Sequence, residues 1–452
     1  MGNTLPKNGN LLSADSLALR ENAMCQSLTL SAALLILMNA QLPAQADLLF
    51  RNGPIYTFET PGGQVEALAI RGERIIFAGT WEGAREFIGD STRIIDLQGR
   101  PLLPGFTDSH VHPISGGLAL LGCDLTGIGQ PDSMLALLKN YAAAHPEKEW
   151  IRAHNFWLTA FPGGNPGKAL LDSIIPGRPV YVTSADAHSA WVNSRALQMA
   201  GITAETPDPP NGVIERDEHT SEPTGTLREE AMAMVSKLIP PYTREELAAA
   251  LRKGLEVASS LGITNLVEAS ARPDYAEAYL ELAKSGELTA HVNVSIYGDI
   301  AKGMEGARQV LELNERYQAA LPAADSTKPD LAFGQVKFFM DGVVEGKTAA
   351  MLSHYHGDTH SGLLNAGPDT AMAAIAALDK AGMQIHVHAI GDRAIRLTLD
   401  AFEQARKQNG ARDSRHHIAH LHVIHPTTFR ASGNWMSSPI SRPCGLPWKI
   451  PI

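Results

Sequence analysis

The stretch Pro104-Gly105-Phe106-Thr107-Asp108-Ser109-His110-Val111-His112-Pro113 decides how this chain is read. Leu102-Leu103 leads into a Pro-Gly turn, a short extended run and two histidines two positions apart. Side chains alternate along a strand, so His110 and His112 face one way and Val111 the other. Two imidazoles on one face at a strand's end suit a divalent metal such as zinc. An isolated His-x-His is a short motif, however, and more often a surface or hydrogen-bonded pair.

Upstream, residues 47–103 are strand-like and broken by turn residues. Leu48-Leu49-Phe50, Pro54 to Phe58, Ala67 to Ile70 and Arg74 to Ala78 are separated by Asn52-Gly53, Pro61-Gly62-Gly63 and Arg71-Gly72. This spacing predicts a small antiparallel β module. Downstream, apolar strands alternate with amphipathic helices. A helix is expected over Met134 to Ala144, strands at Trp150–His154 and Pro179–Thr183, a helix over Arg244–Leu261 and a strand over Thr264–Glu268. Alternation of this sort over residues 104–431 predicts parallel βαβ units and an α/β fold of the (β/α)8, TIM-barrel type. Ile202 to Pro223, polar and Pro-rich, reads as an inserted loop near the site.

Composition narrows the classes. The chain has 452 residues, 44% of them hydrophobic and 19% charged, and a net charge of −10. This is a folded protein with no basic stripe for nucleic acid. Three scattered cysteines exclude a disulfide framework. At the amino terminus, residues 1–46, the apolar run Leu28–Met38 precedes Ala44-Gln45-Ala46, a small-x-small cleavage pattern. Export to the periplasm or outside is therefore expected, a cytoplasmic protein with a buried amino-terminal helix being the alternative. The run is shorter than the ~20 residues that span a bilayer, so no stable membrane anchor is expected. Met1 and Met24 are both candidate starts.

Two further strings carry candidate site residues. Gln335 to Gly342 (QVKFFMDG) places Lys337 inside an apolar run, where by itself it would snorkel or pair with an acid such as Asp341. Gln384 to Ala394 (QIHVHAIGDRA) holds a second His-x-His, His386 and His388, and Arg415 to Leu421 (RHHIAHL) follows. Together with PGFTDSHVHP these strings resemble family 3 of the amidohydrolase superfamily, the branch that includes N-substituted formamide deformylases. Asp186 to Ser194 (DAHSAWVNS) resembles that family's Asp-Gly-His-x-x-Trp-x-Asn segment, with Ala187 where glycine is usual. Gly212–Asp217 and Glu222–Leu227 resemble another of its signatures.

The resemblance implies a metal-dependent hydrolase of non-peptide C–N bonds, in an amide or N-acyl compound, acting through a metal-activated water. It implies metal ligation by His110, His112, His388, His420 and Lys337, the last as a carbamate formed with carbon dioxide. The cofactor is then one or two divalent ions, with zinc favoured, and the partner a small-molecule amide; a homo-oligomer is compatible with this. His188 is implied as a substrate or oxyanion contact. Ala419 stands where the family has glutamate.

The family's general-base aspartate, from the eighth barrel strand, has no counterpart in the chain. Asp341 and Asp392 are acids near the motifs, but neither occupies that place. After Pro426 the resemblance fades, and residues 432–452 (SGNWMSSPISRPCGLPWKIPI) show no periodicity. A frameshift or premature end is the expectation, leaving a barrel that lacks its last strands and a chain that is unstable or inactive. The rival reading is a truncated remnant that binds metal or ligand without turnover.

Overall fold

The computed structural model describes residues 45–60, 62–325 and 327–428. The apolar run Leu28–Met38 and the tail 432–452 lie outside them. Two compact units meet at Pro104 and Gly105 in the chain.

The first unit carries a four-stranded sheet in the order Arg74–Gly79, Gln64–Arg71, Leu48–Tyr56, Arg93–Asp96. Three strands run antiparallel, but Arg93–Asp96 pairs parallel with Leu48–Tyr56, which the expected antiparallel module did not include. Asn52-Gly53 is not a turn between two strands either. It is an irregularity inside one strand, where the register shifts between Arg51 and Ile55 and Asn52 takes φ 60°. Asparagine tolerates the left-handed region, so a turn signal and a bulge look alike in sequence. Leu49, Ala67, Ala69 and Ala84 pack one face of this sheet, with Ala46 buried beside them and its N–H bonded to the Phe87 carbonyl.

The second unit is built on two sheets. One is a (β/α) barrel sheet of six parallel strands in the order Phe106–Val111, Ile263–Ala271, His291–Tyr297, Leu331–Phe339, Gln384–Ala389, His417–His420. Its edges are Phe106–Val111 and His417–His420, and among the described residues no strand joins them. Helices Arg244–Ser260, Pro273–Ser285, Gly303–Ala320, Pro368–Lys380 and Asp392–Asn409 alternate with the strands. Val336, Phe338, Ile385 and Val387 belong to one apolar core with Ile375, Leu378 and Ile395 of those helices. The alternate positions, Lys337, His386 and His388, fall on the other face of the same strands. Helix Arg244–Ser260 begins with a capping box, Thr243 with Glu246. Gly117 lets helix Pro113–Leu121 lie against it, since a methyl there would overlap the Ala250 carbonyl.

The other sheet is a difference from expectation. Ile151–Phe156 and Val180–Ser184, expected as barrel strands, join Cys123–Asp124, Ser189–Val192, Pro223–Glu229 and Gly212–Arg216 in a separate mixed sheet. Short apolar strands read the same whichever sheet takes them. Part of the stretch read as a loop, Gly212–Arg216, is a strand paired antiparallel to Pro223–Glu229. No helix among the described residues is long and apolar enough to cross a membrane.

Candidate metal centre

The parallel register carries the candidate ligands to the carboxyl ends of the barrel strands, where sites of this architecture form. Lys337 pairs with His386, Phe339 with His388 and Ala389 with His420. The His388 and His420 ring centroids lie 4.5 Å apart, and those of His110 and His420 4.9 Å. His110, His388 and His420 therefore form one cluster of rings. His112 lies 5.4 Å from His110 but turns its Nδ1 to Glu268 Oε1 at 3.1 Å. The second oxygen of that carboxylate accepts from the Tyr279 hydroxyl at 3.0 Å. His110 Nδ1 meets His386 Nε2 at 3.0 Å. As they stand, no three histidine, cysteine, aspartate or glutamate side chains among the described residues converge to hold an ion.

Lys337 is fully buried, and its Nζ has no hydrogen-bond partner among the described residues. It sits 5.0 Å from the centroid of the Phe339 ring. A buried ammonium without a partner is costly, and burial pulls this amine down to about 7 against the opposing pull of Glu268. Burial, then the Lys337 charge, holds His110 down to about 2 and His420 to about 3. Burial also takes His386 and His388 well below the ordinary histidine range. All four rings are thus neutral near pH 7, which is the form of imidazole that binds metal. An orphaned buried amine among neutral imidazoles fits a divalent cation by donor chemistry.

The two alternative acids sit close by in structural roles. Asp341 accepts backbone N–H groups from Ala350, Ile390 and Gly391 at 2.8–3.0 Å, and its Oδ1 is 3.8 Å from His388 Nε2. Burial pushes its carboxyl up to about 7, against those hydrogen bonds. Asp392 opens helix Asp392–Asn409 and accepts from the Leu352 N–H.

His188 reaches the cluster from the second sheet, its ring 5.0 Å from that of His388. A turn over Ser184–Ser189 places it. Asp186 accepts from the His188 N–H at 3.0 Å, and Ala187 takes φ 62°, a conformation that explains why glycine suits this position. His188 Nδ1 is bonded to Glu229 Oε2 at 2.8 Å. Burial opposes a charged His188, but the Glu229 carboxylate outweighs it and the net shift is upward. Trp191 is fully buried with its indole N–H on the Gly167 carbonyl, and Asn193 caps helix Ser194–Ala200. Both shape the fold under the turn.

Glu268, Tyr279, Glu229 and Thr348 were not singled out in the sequence. Glu268 ended an expected strand, and Glu229 follows the Glu222–Leu227 signature by two residues. Strand register, not spacing, brings Glu268 and Glu229 to their histidines, and Tyr279 from a helix and Thr348 from a loop bond those carboxylates.

A family model described as "Amidohydrolase family" matches residues 93–435. The chain is 31% identical over 387 residues to Protein LONG AFTER FAR-RED 3 of Arabidopsis thaliana, covering 84% of this chain and 65% of that relative's length. It is 26% identical over 374 residues to N-substituted formamide deformylase of Arthrobacter pascens, covering 81% of this chain and 67% of that protein. Among solved structures it is similar to an uncharacterized metal-dependent hydrolase from Pyrococcus furiosus. That likeness has TM-score 0.60 and 26% identity, over 86% of this chain and 75% of the other.

Proposed function

The chain belongs to the amidohydrolase family, and from that premise we propose that it is a metal-dependent hydrolase of a non-peptide C–N bond in a small amide or N-acyl compound. The observation that carries this is Lys337, a buried amine with no hydrogen-bond partner among the described residues, beside neutral His386, His388 and His110. The names of two similar proteins, a formamide deformylase and a metal-dependent hydrolase, support the same direction.

His110, His112, His388 and His420 are the nitrogen donors, and Lys337 supplies an oxygen donor after carbamylation. In that step the neutral Nζ attacks the carbon of carbon dioxide, an N–C bond forms, and a proton leaves the nitrogen for solvent. The neutral amine thereby becomes an anionic carbamate in a position that disfavours an ammonium. When bound, a divalent cation, zinc by donor type, polarises a carbonyl and lowers the pKa of water to about 7. Glu268 fixes the His112 ring through Nδ1, which leaves Nε2 for ligation. His188 contacts the substrate at the carbonyl under attack.

The test is to purify the full chain, load it with zinc or manganese in bicarbonate buffer, and assay a panel of N-formyl and N-acyl amines. Hydrolysis that a chelator abolishes and metal restores is the expected result. Metal uptake with no turnover on any substrate favours the binding-only reading. Ester or deamination activity without amide hydrolysis overturns the bond assignment.

A further inference from the structure

His188 is tied into a framework that its own turn does not explain. It directly precedes strand Ser189–Val192, and the backbone N–H of Glu229, at the end of the antiparallel strand Pro223–Glu229, is bonded to the His188 carbonyl at 3.1 Å. Glu229 takes φ 49° and ψ −125°, a strained conformation for a residue with a Cβ. Its carboxylate is held at both oxygens. Oε2 meets His188 Nδ1 at 2.8 Å, and Oε1 accepts from the Thr348 hydroxyl at 2.7 Å. Thr348 belongs to the loop that follows barrel strand Leu331–Phe339, and its Oγ1 also accepts from the Val343 N–H at 2.9 Å. Gly342 in that loop makes room, since a methyl there would overlap both the Thr348 hydroxyl and the Glu229 carboxylate. The Gly342 carbonyl in turn lies 3.1 Å from His388 Nε2. Strain persists only where surrounding contacts over-determine it, and such positions cluster at working sites.

We propose that Glu229, braced by Thr348, is a positioning residue that fixes the tautomer and orientation of His188. The inference rests on the reading of His188 as a substrate contact. An ionised carboxylate only accepts, so Nδ1 carries the hydrogen. Nε2 makes no hydrogen bond among the described residues, so it is the ring atom left to meet a substrate. In the neutral ring that atom is an acceptor. This deepens the sequence reading of His188 as an oxyanion contact, because the bond from Nδ1 to Glu229 fixes which ring nitrogen and which orientation the substrate meets.

Two measurements on the metal-loaded full chain test it. In 15N-histidine spectra, an Nδ1–H ring besides that of His112 is expected and is absent from His188→Gln; in Glu229→Gln that ring shifts toward the Nε2–H form. On a hydrolysed panel amide, Glu229→Gln lowers kcat by about 10–100-fold with KM and metal content unchanged. Thr348→Val, which spares the His188–Glu229 pair, lowers kcat by about tenfold, and Thr348→Ser restores it. A His188 ring that keeps its Nδ1–H form in Glu229→Gln overturns the proposal, as does a wild-type kcat in both variants. If Glu229→Gln does not fold, the Thr348 pair decides by the same kcat and KM readouts. If no amide is turned over by the parent chain, the reaction assignment fails, and the tautomer measurement still decides the role of Glu229.

Discussion

Two histidine–carboxylate pairs stand on the two sheets of the larger unit, alike in construction and different in setting. On the barrel, Glu268 takes His112 Nδ1 and is steadied by the Tyr279 hydroxyl. On the second sheet, Glu229 takes His188 Nδ1 and is steadied by the Thr348 hydroxyl. His112 follows strand Phe106–Val111, which runs parallel to the strand of Glu268, 156 residues away; His188 precedes strand Ser189–Val192, which runs antiparallel to the strand of Glu229, 41 away. The His112 side chain is 42% exposed and that of His188 13%. The same device thus serves a ring open enough to take a ligand and a ring nearly closed in beside it. A third pair marks the contrast. His416 Nε2 meets Asp379 Oδ1 at 2.9 Å just ahead of strand His417–His420, at the end of the barrel opposite the site. Pairs at that end of such a barrel serve stability.

The largest effect is expected at the amine between the pairs. Lys337→Met should abolish metal retention and turnover, a loss exceeding the ~100-fold that supporting partners cost. It should also raise the unfolding midpoint, because an unpartnered buried amine is replaced by an apolar chain of similar length. Metal analysis with calorimetry checks both, and a metal-loaded, active Lys337→Met would remove the barrel cluster from the comparison.

Asp379→Asn tests the third pair and should cost about 2–3 kcal/mol of stability at pH 7 with the metal content untouched. Burial pushes the Asp379 carboxyl up, but the Asn409 hydrogen bond, the Arg412 charge and His416 outweigh it and hold it below the ordinary range. A carboxyl depressed on folding contributes fully above its unfolded value and loses that contribution as pH falls through the folded one. Denaturant unfolding from pH 7 to pH 3 should therefore show a shallower acid limb in the variant.

Glu268→Gln should weaken metal affinity by about 10–100-fold while kcat at saturating metal stays near the parent value. Glu229→Gln should do the reverse, so a metal titration of both variants separates the pairs. Equal deficits in the two would erase the distinction. The smallest effect belongs to Ala187→Gly, which relieves a left-handed alanine and should add about 0.5–1 kcal/mol to stability in thermal unfolding.

Much of the barrel was legible because its signals are local. His-x-His on a strand, a lysine in an apolar run and helices with clear periodicity each announce themselves within a dozen residues. The strings at Asp186–Ser194 and Gly212–Leu227 were legible only by resemblance, and their pairing as neighbours needed the register of Thr226 to Arg228 against Trp191 to Ser189. Glu229 and Glu268 escaped notice for the same reason, since a cross-strand partner has no fixed spacing in sequence. The second sheet was hidden because Ile151–Phe156 and Val180–Ser184 have the burial of any parallel core strand.

Gly342 carries a consequence for the sequences this protein can accept. Its φ lies outside the left-handed region, so its backbone could be adopted by any residue, and the constraint on it is spatial. A library covering every position should find Gly342 intolerant even of alanine, whereas Gly367, with nothing within 4 Å of a would-be methyl, should accept most small residues. Mutational tolerance at these two glycines would then chart where the loop after strand Leu331–Phe339 is free to drift and where it is locked to the second sheet.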